Sequence, residues 1–115
     1  MKATIIGCGR IGIIHAKALC LNNIEITSLF DISIEAMNLM IQNVNHKKIN
    51  RAKIIDDHND YFDNLINDGV PDVAIVATTT IGRYDILKRL VNIGVKYILS
   101  EKPIASSIKQ CFDLN

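Results

Sequence analysis

The chain has 115 residues, a formal net charge of +1, 49% hydrophobic and 22% charged residues, and 5% aromatics. That length holds one domain with one core, and near-neutral charge with few aromatics argues against a nucleic-acid partner. No apolar run nears the ~20 residues of a membrane span, the start MKATIIGCGR reads as too short for a secretory leader, and Cys8, Cys20 and Cys111, without C-x-x-C spacing, fit reduced cytoplasmic thiols rather than a metal site or disulfide framework.

Strand and helix patterns alternate along the chain. Ala3 to Ile6 is a short apolar strand, and Arg10 to Leu21 is a helix with Ile11, Ile14, Ala18 and Leu21 at helical spacing. Ile24 to Phe30 reads as a second strand rich in β-branched residues. Ser33 caps a second helix, with Ala36 where a full capping box would carry Glu or Gln, and with Met37, Met40, Ile41 and Val44 as its apolar stripe. His46, Lys47 and Lys48 are expected at its C-terminus, where cations suit the dipole, and Lys47, Lys48, Arg51 and Lys53 as a solvated basic run. A weak third strand, Ala52 to Ile55, precedes a short helix, Asn59 to Asn67, with Phe62, Leu65 and Ile66 inward.

After the punctuation of Gly69 and Pro71, the run DVAIVA (Asp72 to Ala77) is the clearest strand, apolar enough for burial on both faces of a parallel sheet. Ile81 to Asn92 is helical with Tyr84, Leu87, Leu90 and Val91 on one side, and Gly94 ends it. Lys96 to Leu99 is a fifth strand, and Ser106 caps a last helix with Ile108, Cys111 and Phe112 inward. The order βαβαβαβαβα predicts an α/β, doubly wound parallel sheet of Rossmann type, with five strands present and a sixth absent.

The glycine run Gly7-Cys8-Gly9-Arg10-Ile11-Gly12 follows the first strand and opens the first helix. Gly7 permits the tight turn, Gly9 lets the backbone approach a pyrophosphate, and Gly12 lets helix and strand pack closely. The N–H groups of the first turn, at Arg10, Ile11 and Gly12, then point at the anion with the helix dipole behind them. Arg10 either pairs with the pyrophosphate or stays solvated, His15 reads as structural, and Cys8 as a small filler or a partly reactive thiol.

Asp31 ends the second strand, nineteen residues after Gly12. A carboxylate there accepts from ribose hydroxyls and repels a 2′-phosphate; at ~4 Å and an effective dielectric near 20 the repulsion is about 4 kcal/mol per charge pair. Ile32 supplies no cation to offset it, so NAD is favoured over NADP. As an isolated residue Asp31 reads equally as a turn or cap.

The set G-x-G-x-x-G-x-x-H at Gly7, Gly9, Gly12 and His15, FD at Phe30 and Asp31, VAIVAT at Val73 to Thr78, and EKP at Glu101, Lys102 and Pro103 resembles the N-terminal domain of the Gfo/Idh/MocA oxidoreductases. The resemblance covers Lys2 to Ile108. It implies hydride transfer between NAD(P) and a hydroxyl or keto carbon of a sugar, cyclitol or related compound. It also implies that Lys102 lies by the nicotinamide and substrate as the catalytic residue, with Glu101 beside it. An ammonium there donates to a substrate oxygen as alkoxide character develops.

The chain departs from that pattern. Where members read ATPN and then a histidine, it reads ATTTIGR: Thr79 stands for the proline, Thr80 for the asparagine and Arg83 for the histidine. Thr78 and Thr79 retain hydrogen-bonding hydroxyls for the cofactor. Arg83 suits an anionic substrate group or a solvated helix position. Members also continue into a C-terminal domain with most substrate contacts, a catalytic histidine and the usual oligomer interface. His46 and His58 do not match that motif and read as surface residues.

The expectation is therefore an incomplete dinucleotide-binding domain over 1–115, inactive alone. Its partners would be a sugar-like or anionic small molecule and, through a missing domain, further copies of itself; neither nucleic acid nor membrane is expected. The alternatives are a nucleotide-sensing regulatory Rossmann module without catalysis, like those that gate potassium transport, and a catalytically dead domain that binds a partner protein.

Overall fold

In a computed structural model that describes residues 1–78 and 82–100, the alternating patterns become nine elements. They are β1 (Lys2–Ile6), α1 (Arg10–Leu21), β2 (Glu25–Phe30), α2 (Ile34–Val44), β3 (Lys53–Ile55), α3 (His58–Asn67), β4 (Val73–Val76), α4 (Arg83–Ile93) and β5 (Tyr97–Ser100). All neighbouring strands pair in parallel in the order β3-β2-β1-β4-β5. The chain steps outward from β1 to β3, then crosses to β4 on the other side of β1. Right-handed connections then put α1 and α2 on one face and α3 and α4 on the other. The expected doubly wound fold is the one observed; the expected last helix lies outside the described residues.

The sheet divides the core in two. Ile5 of β1, Ile26 and Leu29 of β2 and Ile75 of β4 pack with Ala16, Cys20, Met37 and Met40 of α1 and α2. Ile6, Phe30, Ala74 and Val76 pack on the opposite face with Tyr61, Phe62 and Leu65 of α3 and Ile86, Leu87 and Leu90 of α4. Strict alternation would send Ile26 and Leu29 to opposite faces. They share one because the β1–β2 register shifts between Ala3↔Ile26 and Thr4↔Ser28, leaving Thr27 as an extra residue.

Element bounds follow the sequence closely, but several inward faces do not. On α1 the buried residues are Gly12, Ala16 and Cys20, while Ile11, Ile14, Ala18 and Leu21 are exposed. Small side chains at i, i+4 and i+8 let this helix lie close to the sheet, and that closeness outweighs the greater hydrophobicity of the isoleucines. On α3 Tyr61 is buried and Ile66 is exposed; on α4 Arg83 and Ile86 are buried and Val91 is exposed, with Tyr84 half-buried. Ser33 caps α2 as expected, accepting from the Ala36 N–H at 3.1 Å. Asp57, not singled out from sequence, caps α3 by accepting from the Asp60 N–H at 3.0 Å.

His46, Lys47 and Lys48 lie beyond α2, which stops at Val44 with Asn45 left-handed. His46 instead accepts from the Lys48 N–H through Nδ1 at 3.0 Å. Lys53 belongs to β3 and pairs with Asp68 at 2.5 Å. His58 is no simple surface residue. Its ring meets the edges of Phe30 and Phe62 at centroid distances of 5.7 and 5.1 Å, and its Nδ1 is 3.1 Å from Arg89 Nη1. Burial, and then the Arg89 charge, push its pKa down.

Between β1, β2 and α3 lies a buried polar knot. Thr4 Oγ1 is 2.7 Å from Ser28 Oγ and 2.5 Å from Tyr61 Oη, and also donates to the Ser28 carbonyl at 3.2 Å. Burial raises the Tyr61 pKa, so the phenol stays neutral at physiological pH. Tyr61→Phe removes one bond and leaves Thr4 and Ser28 paired; it should cost about 1 kcal/mol, roughly 4 °C in Tm. Thr4→Val removes the hydroxyl that both partners share, with both of its side-chain bonds, and should cost more, about 2 kcal/mol. Thermal denaturation of the two variants checks the order; equal losses would contradict the shared Thr4 link.

Candidate functional site

The carboxyl ends of β1, β2 and β4 meet where the strand order reverses, between β1 and β4. Open α/β sheets leave a crevice at such a point. Here it is a cleft of about 340 Å³ lined by Gly7, Gly9, Phe30, Asp31, Ile32, Ala77, Thr78 and Ile86.

Each glycine of the loop answers a different constraint. Gly7 has φ +94°, and a Cβ there would stand 2.6 Å from the carbonyl carbon and oxygen of Ala77. Its N–H donates to the Phe30 carbonyl at 2.9 Å, so one residue ties the loop to β2 while touching the end of β4. A Cβ on Gly12 would fall 2.1 Å from the Gly7 carbonyl oxygen, which is why α1 can start so tightly against the turn it leaves. Gly9, the N-cap of α1, is the reverse case: a Cβ there would meet nothing within 4 Å. Packing therefore does not require glycine at that position, and the space in front of it is open. The first-turn N–H groups of α1 have no intrahelical acceptor, and no acidic residue occupies that turn. Helix starts of this kind suit anions.

Asp31 stands at the cleft with both carboxylate oxygens engaged. One accepts from the Cys8 N–H at 2.8 Å and the other from the Ser33 N–H at 2.9 Å. The turn role is the one observed, and it leaves each oxygen a second lone pair. Cys8 sits behind the loop, 2% exposed, its thiol 3.8 Å from the Phe30 carbonyl. Burial, and then the Asp31 charge, push its pKa up to about 12. It is a filler and not a nucleophile.

The structure gathers Gly7, Gly9, Asp31 and Thr78 around one cleft. Gly12 sits beneath it as a packing residue. Arg10 and Ile11 are exposed on the first turn of α1, and Arg10 also lines a groove between α1 and α2 with Ile13, Ala36 and Leu39. Thr79, Glu101 and Lys102 lie outside the described residues. Arg83 is corrected from a solvated position: it is 4% exposed and its guanidinium donates to the Thr78 carbonyl.

Sequence reasoning missed Ile32 and Ile86 as walls of the cleft. Ile32 is 88% exposed, and an apolar residue straight after the acid, where a solvated one suits a turn, was the available signal. At pH 8 Cys8 should resist iodoacetamide in the folded chain and react in urea, by peptide mass mapping. The raised pKa adds stability held below about pH 9 and lost as pH climbs towards about 12.

A comparison with curated proteins gives no match. Among solved structures, myo-inositol dehydrogenase from Lactobacillus casei, in complex with NAD(H) and myo-inositol, is similar over 99% of this chain and 32% of its own, at 22% identity and a TM-score of 0.79. Scyllo-inositol dehydrogenase from the same organism, with NAD(H) and scyllo-inositol, is similar over 99% of this chain and 31% of its own, at 19% identity and TM-score 0.77. The WlbA dehydrogenase from Bordetella pertussis, with NADH and UDP-GlcNAcA, is similar over 99% of this chain and 34% of its own, at 20% identity and TM-score 0.73. At such identities these likenesses establish the fold, and the chain spans about a third of the length of each. The family model described as the oxidoreductase family, NAD-binding Rossmann fold, matches residues 1–115, and the chain belongs to that Gfo/Idh/MocA family.

Proposed function

We propose that the chain is the NAD-binding domain of an oxidoreductase acting on a hydroxyl or keto carbon of a sugar, cyclitol or related compound. The observation that carries this reading is the open space before Gly9, flanked by the first turn of α1 and by Asp31. That space fits a diphosphate, and the carboxylate fits the hydroxyls of an adjoining ribose. The ligands of the similar structures, inositols and a UDP-sugar, support the substrate class. Family membership speaks against the nucleotide-sensing alternative.

Bound NAD supplies a hydride acceptor or donor at its nicotinamide. The chain's own residues bind and orient. Gly7 and Gly9 leave the backbone bare, and the N–H groups of Arg10, Ile11 and Gly12 would hold the diphosphate. Asp31 accepts from the ribose and disfavours a 2′-phosphate. Thr78 serves the strand-end wall, and Thr79, next in sequence, would offer a second hydroxyl. Glu101 and Lys102 follow β5, whose carboxyl end shares the cofactor's side of the sheet, and Lys102 donates to the substrate oxygen. Substrate contacts beyond these come from a second domain, which also joins subunits, and the cytoplasm suits the reduced thiols.

Gly9→Ala should leave Tm within about 2 °C, because its Cβ meets no protein atom, yet weaken NAD at least about tenfold, or 1.4 kcal/mol. Gly12→Ala should lower Tm strongly, because its Cβ has nowhere to go. Calorimetric titration and melting separate the two; a Gly9→Ala chain that binds NAD normally would sink the cradle. Asp31→Asn should weaken NAD and narrow its lead over NADP, and an unchanged NAD-to-NADP ratio would count against the carboxylate's role.

A further inference from the structure

Arg83 is poorly explained by the stability of the helix it begins. The N-terminal end of a helix carries positive partial charge, so a cation in the first turn is unfavourable there. Burying a guanidinium adds a desolvation cost. The N-cap, Gly82, is left-handed with φ +83° and gives no side-chain cap. Yet Arg83 is buried, and its guanidinium turns back from α4 to donate to the carbonyl of Thr78, the residue with which the chain leaves the strand-end wall of the cleft. Thr78 also presents a buried hydroxyl, Oγ1, with no hydrogen-bond partner among the described residues. Buried polar atoms are rarely left so. The carbonyl of Thr78 is thus held while its hydroxyl is left unspent, at a residue that lines the cleft.

We propose that Arg83 is a positioning residue of the cofactor cleft, pinning Thr78 so that its hydroxyl is offered to the bound dinucleotide. The proposal rests on the NAD-binding reading above. Arginine suits the task because its planar fork stays charged at every relevant pH and spans from α4 back to the end of β4. The cation adds positive potential behind a wall that faces a diphosphate. Histidine, the residue that the resembled pattern carries here, lacks the permanent charge and the planar fork.

The test compares Arg83→Met and Arg83→Lys with the native chain and with Tyr61→Phe, a destabilised control whose lost hydroxyl bonds Thr4 and not the cleft. Hydrogen exchange, read by mass spectrometry, follows the peptide that carries Ala77 and Thr78, and calorimetry follows NAD itself. Arg83→Met should speed exchange in that peptide by about tenfold to a hundredfold, the worth of one hydrogen bond from a charged donor. Peptides from β1 and β2 should be unchanged, and NAD affinity should fall about tenfold. Arg83→Lys, which keeps the charge and a single donor, should lie between; it also serves if the methionine variant does not fold. Tyr61→Phe should lower Tm without touching NAD affinity. Native exchange at Thr78 in both Arg83 variants overturns the pinning. Faster exchange with unaltered NAD affinity overturns the role in the cleft and leaves a merely structural contact. A native chain that binds no NAD overturns the NAD-binding reading and the cleft role with it, while the exchange arm still decides the pinning.

Discussion

The fold turns on one close approach. At Gly7 the backbone of the β1–α1 turn comes so near to Ala77 that no side chain fits, and the carbonyl of the same glycine fills the place of a Gly12 Cβ. Three elements are thereby locked at one corner: the end of β1, the end of β4 and the start of α1. Whatever the rest of the chain does must respect that geometry. The small face of α1, the burial of Cys8 behind the loop and the orientation of the first-turn N–H groups all follow from it. The cleft is then the volume left over when three strand ends and one helix start are brought together without side chains between them.

Asp31 extends the same constraint to β2. Its two oxygens take the N–H groups of Cys8 and Ser33, so the carboxylate is oriented before any ligand arrives. A preoriented acceptor gives up less entropy on binding than a free one. Gly9 completes the arrangement by contributing nothing but space. Ile32 and Ile86 supply apolar walls around it.

Much of this was legible in the sequence, for physical reasons that differ by element. The bounds of α1 read true because a glycine turn precedes it and its propensities are sound. Its buried face misread because apolarity was counted, whereas the sheet selects size: Ala16 and Cys20 go in and Ile14 stays out. Ile66 and Val91 misled for a related reason, since a short helix on one face of a sheet can bury only a narrow stripe. Tyr61 was overlooked because the value of its burial lies in a hydroxyl that reaches Thr4, fifty-seven positions away. Arg83 escaped its expected solvated position because it donates to a backbone carbonyl, and no residue pattern announces a backbone acceptor. The glycines and Asp31 were legible because their constraints are local and chemical.

The most direct measurement is a backbone-amide NMR titration of the 115-residue chain with NAD. Saturable shifts are expected at Gly7, Gly9, Arg10, Ile11, Gly12, Asp31 and Thr78. The groove at the opposite end of the strands, lined by Lys2, Glu25, Arg51 and Lys53, should stay silent. Shifts centred on that groove, or none at the glycine loop at millimolar NAD, would contradict the NAD-binding reading.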